Sequence, residues 1–320
     1  MDVQAPLNPS DLFSAKGLVV VITGGGSGLG LAYASALYQN GATKIYILGR
    51  RLNVLENAIK TLEASPSAPK KASSALAAIV CDVTDQNSVR DAVALIKKDV
   101  GYVDVLINNA GVLGPTNGRD LYKAESIDQL KDAMLQDYPN WDLAFKINTQ
   151  AIIGVSAAFL PLLEAANTRR GWTKGKFEGE GNARAQDTSV LSKIGADSDD
   201  DRMAHIITTA SVASFMRYCT AGLAYNASKA GAAQLSKILA SFLAPWGIRS
   251  NVIAPGPFPS EMTKTLRAKF GTGAVPQGRM GSANDVAALL LFLVGKGGAY
   301  TNGTVQVTDG GRMGVFPGTY

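Results

Sequence analysis

The sequence predicts an α/β protein built on a doubly wound, parallel, seven-stranded sheet with helices on both faces. Short β-branched runs alternate with longer segments whose apolar residues recur every three to four positions, and this alternation is typical of βαβ units. Each predicted strand is mostly apolar, as expected for strands that are covered on both faces. A third observation, a glycine-rich loop directly after the first strand, is the usual start of a nucleotide-binding sheet of this class.

The predicted elements follow this order along the chain. Strands are expected at 18–23, 44–48, 76–81, 104–108, 205–209, 249–254 and 304–308. Helices are expected at 29–40, 52–63, 87–100, 141–164, 223–246 and 283–294. Residues 167–203, rich in Gly, Lys, Asp and Ser, interrupt this rhythm and form a loop of a length that is uncommon inside a compact domain. Because the rhythm resumes unchanged, we expect one domain over residues 1–320 with a polar, partly disordered insertion at 167–203.

Composition excludes several classes of protein. The chain of 320 residues is 46% hydrophobic and 18% charged, which indicates a folded globular protein. The longest apolar run, which ends at Val294, is less than half the ~20 residues of a membrane-crossing helix, so no membrane span is expected. Two cysteines, Cys81 and Cys219, and one histidine, His205, form neither a disulfide framework nor a zinc site. No metal and a cytoplasmic location are expected, and His205 is expected to be structural.

The net charge of +5 comes from 31 basic and 26 acidic residues. Its one basic cluster, at Arg169, Arg170, Lys174 and Lys176, precedes an acidic run at 197–201. We therefore interpret this part of the chain as a self-neutralising surface segment, and no nucleic-acid partner is expected.

The loop from Thr23 to Gly30 carries five glycines between a buried strand and a helix start. Without side chains, the backbone can approach a pyrophosphate, whose charge then meets free N–H groups and the positive end of the helix. The spacing is G-x-x-x-G-x-G and differs from the nucleoside-triphosphate loop, because no Lys-Ser or Lys-Thr pair follows. The candidate cofactor-binding residues of this loop are Thr23, Gly24, Ser27, Gly28, Leu29 and Gly30.

After the second strand the sequence reads Gly49-Arg50-Arg51, where NAD-binding proteins of this class carry an acid. A small residue followed by guanidinium groups favours NADP, because it makes room for the 2'-phosphate and offers it a bidentate partner. The alternative is that these are ordinary surface arginines at a helix start. After the third strand, Asp82 and Val83 could contact the adenine edge, or Asp82 could cap the next turn.

Tyr225 and Lys229 lie four residues apart, so they share one face of a helix. A neighbouring positive charge favours phenolate and would bring the tyrosine closer to acid–base work at neutral pH. Ser211 follows a buried strand at the carboxyl end of the sheet, where its hydroxyl could polarise a carbonyl. Asn148 lies on a helix after the fourth-strand loop. Small groups that would let a cofactor lie flat follow that strand at Asn109, Ala110 and Gly111.

These motifs together resemble the short-chain dehydrogenase/reductase family of the classical type, over about residues 18–311. The motifs that carry the resemblance, in order, are Thr23 to Gly30, Asn108 to Gly111, Asn148, Ser211 with Tyr225 and Lys229, and Pro255-Gly256. The resemblance implies a Rossmann-like fold and hydride transfer between a nicotinamide cofactor and a carbonyl or secondary alcohol, and Gly49-Arg50-Arg51 favour NADP(H) as that cofactor. It also implies a homodimer or homotetramer, with the helix at 141–164 contributing its outer face.

The resemblance also assigns roles to individual residues. It implies that Tyr225 is the general acid or base, that Lys229 lowers its pKa and binds the nicotinamide ribose, and that Ser211 steadies the substrate oxygen. It implies that Asn148 anchors a relay water and that Asp82 contacts adenine. Pro255 and Gly256 complete the cofactor site, where Ser260 could contact the carboxamide.

The chain departs from the family pattern by extra residues at 65–74, 113–138 and 167–203. The 167–203 insertion joins a helix end to a strand start, so we expect it at the amino edge of the sheet, away from the ligand. Apolar residues after Gly256 recur at roughly helical spacing, at Phe258, Met262, Leu266 and Phe270. They could close over an apolar substrate, with Phe258 and Met262 in contact with it, or they could be ordinary packing residues.

Two rival functions remain beside an NADP-dependent ketoreductase. One is a dinucleotide-binding scaffold, sensor or non-redox cyclase on the same fold, against which the complete set of Ser211, Tyr225 and Lys229 argues. The other is an S-adenosyl-dependent methylating enzyme, which would leave Tyr225, Lys229 and Arg50 without a role. A serine hydrolase is excluded, since no G-x-S-x-G motif and no second histidine occur. The sequence does not identify the substrate.

Overall fold

A computed structural model describes residues 7–69, 75–179, 181, 183–264, 266 and 268–319. Of the stretched loop at 65–74, residues 70–74 lie outside this description. The strands are β1 (Val19–Thr23), β2 (Lys44–Gly49), β3 (Leu76–Val80), β4 (Val105–Asn108), β5 (His205–Thr209), β6 (Arg249–Pro255) and β7 (Val305–Thr308). The helices are α1 (Pro9–Leu12), α2 (Gly28–Gln39), α3 (Leu52–Glu63), α4 (Gln86–Asp99), α5 (Gly118–Leu121), α6 (Ile127–Leu135), α7 (Trp141–Phe145), α8 (Ala151–Arg169), α9 (Leu223–Leu243) and α10 (Ala283–Val294).

The seven strands form one parallel sheet in the order β3-β2-β1-β4-β5-β6-β7. This confirms the predicted doubly wound, Rossmann-like fold. The chain reverses its direction of travel across the sheet between β1 and β4. In sheets of this class, ligands bind at the carboxyl ends of the strands beside that reversal. The topology therefore indicates a ligand site at the loops after β1 and β4.

Alternate residues of each central strand pack on opposite faces. Val20 and Ile22 of β1 join a core with residues of α2, α3 and α10, such as Leu37, Leu55 and Leu290. Val19 and Val21 of the same strand join a second core with residues of α4, α8 and α9. All five residues of β1 are buried. Burial on both faces explains why this strand reads as a continuous apolar run and not as an alternating one.

The long helix predicted at 141–164 contains a π-helical turn, Lys146–Gln150, between α7 and α8. The turn carries Asn148, whose side chain is fixed by hydrogen bonds to the β4 loop and to α9. A π turn inserts one residue without interrupting the apolar face, so hydrophobic periodicity does not reveal it, and such turns often occur at functional sites. From Ile127 to Arg169 the helical stretch is long and apolar enough to cross a membrane by length and composition. Phe159, Leu162 and Leu163, however, are buried in the core.

The insertion predicted at 167–203 is anchored by buried charged residues, so the interpretation of its basic cluster as a surface segment is wrong at Arg170. Residues 167–169 belong to α8, and Arg170 and Asp200 are buried at 2% and 1% exposure. Arg170 Nε donates to Asp104 Oδ1 at 3.0 Å, and its Nη1 pairs with Asp200. Asp104 begins the β4 region and also accepts from Val19 N at 2.7 Å. A buried carboxylate at this amino edge requires a cationic partner, which Arg170 supplies.

Candidate active site

A cleft of about 630 Å³ runs along the carboxyl ends of the strands. The cleft brings together most of the residues that the sequence singled out, which are Gly24, Ser27, Gly28, Leu29, Arg50, Arg51, Asp82, Val83, Asn109, Ala110, Gly111, Ser211, Tyr225, Lys229, Pro255, Phe258, Ser260 and Met262. Four predicted residues do not line it, namely Thr23, Gly30, Asn148 and Gly256. The cleft is large enough for a small-molecule ligand.

The glycine loop forms a close-packed cradle at one end of the cleft. Gly24 and Gly28 have φ angles of +64° and +52°, in the left-handed region that favours glycine. A Cβ on Gly30 would lie 2.2 Å from the Gly24 carbonyl oxygen, so no larger residue fits there. Ser27 is the N-cap of α2 but makes no capping hydrogen bond with its side chain. The first-turn N–H groups of α2 therefore remain available to an anion, and this end of the cleft fits the pyrophosphate of a dinucleotide.

Thr23 holds the loops after β1 and β4 together from behind. Its Oγ1 accepts hydrogen bonds from Asn109 N at 3.0 Å and Ala110 N at 3.1 Å. The Asn109 amide donates in return to the carbonyl oxygens of Thr23 and Gly24. Thr23 and the Asn109 side chain thus position the cleft wall without needing to touch a ligand.

The arginines after β2 lie at the same end as the cradle, and both are exposed. Arg51 Nη2 pairs with Glu261 Oε2 at 3.0 Å.

The carboxylate of Asp82 accepts from the Thr84 backbone and hydroxyl at 2.9 and 2.8 Å, so the turn-capping alternative is observed. Burial alone would raise the pKa of Asp82, but these hydrogen bonds and the charges of Arg50 and Lys146 hold it below its usual value. The adenine contact of Asp82 stays a prediction.

At the other end of the cleft, Ser211, Tyr225 and Lys229 are close neighbours. Ser211 follows β5, while α9 carries Tyr225 and Lys229 on one face. The Lys229 ammonium is buried and donates to the Thr209 carbonyl oxygen at 2.8 Å. A Cβ on Gly111 would lie 3.3 Å from Lys229 Nζ and 3.1 Å from Asn148 Oδ1. The loop after β4 therefore packs directly against both side chains.

The role of Lys229 in lowering the pKa of Tyr225 stays a prediction, because burial sets the net direction of that pKa in the ligand-free protein. Burial raises the pKa of Tyr225 above its usual value, and a hydrogen bond with Ser211 opposes part of that rise. Burial also lowers the pKa of Lys229 to about 8. Spacing along a helix reveals which charges are neighbours but not how much water they lose. In the ligand-free protein Tyr225 therefore holds its proton at neutral pH, as a general acid requires.

Asn148 supports the site from the π turn. Its amide donates to the Val112 carbonyl oxygen at 2.8 Å and to Ser228 Oγ at 3.0 Å, and its Oδ1 accepts from Val112 N at 2.9 Å. These bonds fix the loop after β4 to α9. The role of Asn148 as a water anchor stays a prediction, since its amide is engaged with protein groups.

Only some of the apolar residues predicted to close over the substrate after β6 line the cleft. Met262 is 39% exposed and lines the cleft, while Leu266 and Phe270 do not. Phe258 also lines the cleft, but it is only 5% exposed and its ring fills the space beside Gly281. Phe258 therefore anchors the segment by packing, which was the alternative reading. Gly256 is placed by a close approach to Asp309, 2.8 Å from the position of an added Cβ.

Several cleft residues were not anticipated from the sequence. Leu113, Ile147, Glu261 and Thr263 line the cleft. Leu113 follows the predicted Asn108-to-Gly111 motif and could have been found by extending it, whereas Glu261 depends on how the β6 loop folds. Three aromatic rings from loops after β4, β5 and β7 also stack at this edge of the sheet, with centroids of Tyr122 and Tyr218 4.2 Å apart and those of Tyr218 and Phe316 5.4 Å apart.

Comparisons with known proteins identify the family of the chain. The family model described as short chain dehydrogenase matches residues 18–171, and the model described as Enoyl-(Acyl carrier protein) reductase matches residues 193–312. The short-chain dehydrogenase/reductase VdtF of Byssochlamys spectabilis is 36% identical over 329 aligned positions covering 100% of both chains. PhomF of Diaporthe leptostromiformis, described in the same words, is 33% identical over 97% of this chain and 96% of its own.

Among solved structures, the RhlG/NADP active-site complex of Pseudomonas aeruginosa superposes with a TM-score of 0.69 at 26% identity, covering 94% of this chain and 98% of that chain. The family models, the curated relatives and the superposed structure all match the fold described above over most of the chain. This chain belongs to the short-chain dehydrogenase/reductase family of oxidoreductases.

Proposed function

We propose that this protein is an NADP-dependent ketoreductase, which transfers hydride between nicotinamide and the carbonyl carbon of an apolar substrate or the corresponding secondary alcohol. The observation that carries the proposal is the placement of Ser211, Tyr225 and Lys229 at one end of a single cleft whose other end holds the glycine cradle and two arginines. A dinucleotide that lies with its pyrophosphate in the cradle would reach both ends.

The bound cofactor supplies the hydride, and the chain supplies the proton and the orientation. In the reducing direction the Tyr225 hydroxyl gives its proton to the carbonyl oxygen, and Ser211 donates a hydrogen bond to the same oxygen. Because burial keeps Tyr225 protonated, the phenol is ready to act as the acid. The Lys229 ammonium, held by the Thr209 carbonyl, is placed to bind ribose hydroxyls and to stabilise the phenolate that remains.

Preference for NADP is supported by charge at the cradle end. Gly49 leaves room at the carboxyl end of β2, and Arg50 and Arg51 both line the cleft. A guanidinium group forms two parallel hydrogen bonds with a phosphate. The RhlG structure, an NADP complex, is a relative with the same fold. We further propose a cytoplasmic, homo-oligomeric enzyme that acts on small molecules, not on nucleic acids or membranes.

The test is cofactor oxidation by the purified protein with NADPH, NADH and a panel of aliphatic, aromatic and polyketide-like ketones. We expect turnover with NADPH. Tyr225→Phe removes only the phenolic oxygen, so cofactor binding should persist while turnover falls by about 10² to 10⁴. If that variant keeps substantial activity, the residue assignment fails. If the unaltered protein binds dinucleotide but turns over no ketone, the scaffold or cyclase alternative is favoured.

A second arm tests the cofactor. Arg50→Asp removes a phosphate partner and adds repulsion, which should cost NADPH binding on the order of 1.5 to 3 kcal/mol and NADH binding far less. Arg90→Asp, on the exposed face of α4 outside the cleft, is the matched control and should leave both cofactors unchanged. Equal affinity of the unaltered protein for NADPH and NADH would contradict the preference for NADP.

A further inference from the structure

Two charged side chains from opposite walls of the cleft meet across it. Arg51 follows β2, and Glu261 begins a short 3-10 turn after β6, Glu261–Thr263. Their Nη2 and Oε2 atoms are 3.0 Å apart, and both residues line the cleft. Because β1, β4 and β5 lie between β2 and β6 in the sheet, this ion pair bridges the width of the site.

The turn that carries Glu261 is held firmly. Ser260 N donates to Thr263 Oγ1 at 2.8 Å, and Thr263 Oγ1 donates to the Phe258 carbonyl oxygen at 2.6 Å. Phe258 is itself buried in the core. On its other side the turn touches the glycine cradle, since Ser260 Cβ lies 3.1 Å from the position of a Cβ on Gly28. Glu261 is therefore presented at a fixed place beside the phosphate-binding end.

The two adjacent arginines differ in their partners. Arg51 is paired with Glu261, whereas Arg50 forms no ion pair within the described part of the chain and acts on Asp82 only through its charge. Apart from Glu261, the acidic residue on the cleft lining is Asp82, whose carboxylate is engaged with Thr84. An anion that enters this end thus meets one free guanidinium group and one that already holds a carboxylate.

We propose that Glu261 sets the affinity of this enzyme for the cofactor's 2'-phosphate by competing with that phosphate for Arg51. The inference rests on the proposed function, because it takes NADP as the cofactor. Phosphate binding at Arg51 displaces the Glu261 carboxylate, so part of the binding free energy is lost to breaking the pair. Glu261 is a specificity-determining residue in this account and takes no part in hydride or proton transfer.

The expected effect is modest, because the Arg51 and Glu261 side chains are 57% and 49% exposed and exposed ion pairs are weak. Glu261→Gln keeps the size of the side chain and removes its charge. It should tighten NADPH and adenosine 2',5'-bisphosphate by about two- to five-fold. NADH and 5'-AMP, which lack the 2'-phosphate, should bind as they do to the unaltered protein. Dissociation constants from calorimetry or cofactor fluorescence measure both pairs.

The control is the same substitution in an Arg51→Gln background. If Glu261 acts by holding Arg51, the double variant binds the 2'-phosphate ligands no more tightly than Arg51→Gln alone. If Glu261→Gln still tightens binding of the 2'-phosphate ligands in that background, Glu261 acts by simple charge repulsion of the phosphate, and the proposal is overturned. Equal tightening of all four ligands, or no tightening, also overturns it. Thermal unfolding of each variant verifies that the fold is retained.

The same measurements separate this inference from the proposed function. The ratio of NADPH to NADH affinity in the unaltered protein tests the cofactor assignment. The effect of Glu261→Gln on adenosine 2',5'-bisphosphate tests the competition whatever that ratio is. If the unaltered protein prefers NADPH but Glu261→Gln has no effect on binding, the proposed function stands and the proposed competition is wrong. If the unaltered protein shows no preference for NADPH, but Glu261→Gln still binds the bisphosphate more tightly in a way that depends on Arg51, the competition is supported and the cofactor assignment is not.

Discussion

At the scale of single residues, the buried charge of Lys229 is needed for the proposed cofactor binding but destabilises the folded protein. Burial lowers its pKa to about 8, from 10.5 for the free group. The difference corresponds to roughly 3 kcal/mol of unfavourable free energy when the folded protein carries the charged form. A base whose pKa is depressed by folding destabilises the native state below that pKa. The destabilisation then diminishes as pH rises from about 8 towards 10.5.

Lys229→Met should therefore raise stability at pH 7 while abolishing turnover. We expect the free energy of unfolding to rise by about 1–2 kcal/mol, less than the full electrostatic term, because the Thr209 carbonyl loses its donor. Urea unfolding at pH 7 and at pH 10 measures this, with the gain smaller at pH 10. A variant that is less stable than the unaltered protein at pH 7 would show that Lys229 contributes stability and not strain.

The residues of the cleft differ in how far the sequence predicts them. Ser211, Tyr225 and Lys229 could be singled out because one follows a strand and two share a helix face, and because the three together match a motif of the family. The protonation of Tyr225 could not be predicted, because burial depends on packing from several elements and outweighs its neighbours. Glu261 gave no signal, because its pairing with Arg51 joins residues 210 positions apart on loops whose paths only the folded chain defines.

At the scale of elements, strand positions and the apolar faces of the helices were predictable, because both depend on short-range periodicity. Predicted β5, α3 and α10 have the bounds that the structure gives them. The π turn around Asn148 was not predictable, since one inserted residue leaves the apolar pattern intact. For the segment after β6, the sequence predicts the location but not the orientation of each side chain. Its position beside the cleft follows from topology, but which apolar side chain points into the core requires the fold.

This segment gives a paired prediction. Phe258→Ala removes a buried ring beside Gly281 and should cost about 3–5 kcal/mol of stability. Met262→Ala removes an exposed side chain and should change stability by less than about 0.5 kcal/mol, while raising KM for bulky apolar ketones. Thermal unfolding and KM for a small and a bulky ketone separate the two effects. Loss of stability in Met262→Ala, or a KM unchanged for every ketone, would contradict its assignment as a substrate contact.

At the scale of the whole molecule, helices that cover one face of the sheet leave some of their apolar side chains in solvent. Phe145 and Ile153 along the π-containing helix and Ile238 and Phe242 on α9 are between 37% and 61% exposed. A second copy of the chain would cover them, in agreement with the proposed homodimer or homotetramer. Light scattering at micromolar concentration should give a multiple of the 33.4 kDa chain mass, and Phe242→Glu should reduce it. A monomeric mass for the unaltered protein contradicts the proposal.

The insertion at 167–203 ties into the opposite edge of the sheet through a buried ionic cluster of Asp104, Arg170, Asp200 and Arg202. Arg202 Nε donates to Asp200 Oδ1 at 2.8 Å, and its Nη groups reach the Ser14 and Lys16 carbonyl oxygens. Hydrogen bonding and the charges of Arg170 and Arg202 outweigh burial and lower the pKa of Asp200 to about 2. The stabilisation from this carboxylate is present above pH 4 and is lost as pH falls towards 2.

Arg170→Met tests whether this cluster supports the fold without affecting the chemistry. The substitution leaves the Asp104 carboxylate without its cation and Asp200 with Arg202 alone, and removing one partner of a buried pair costs about 3–5 kcal/mol. Because the cluster lies at the amino edge of the sheet and the cleft at the carboxyl edge, kcat/KM with NADPH should stay within a few-fold at a temperature where the variant is folded. Lys174→Met, at an exposed pair with Glu164, should change neither quantity. Unfolding curves and steady-state kinetics on both variants measure the two effects separately. A folded Arg170→Met variant that binds NADPH but has lost turnover would mean that the insertion acts on the active site, and that the two edges of this sheet are not independent.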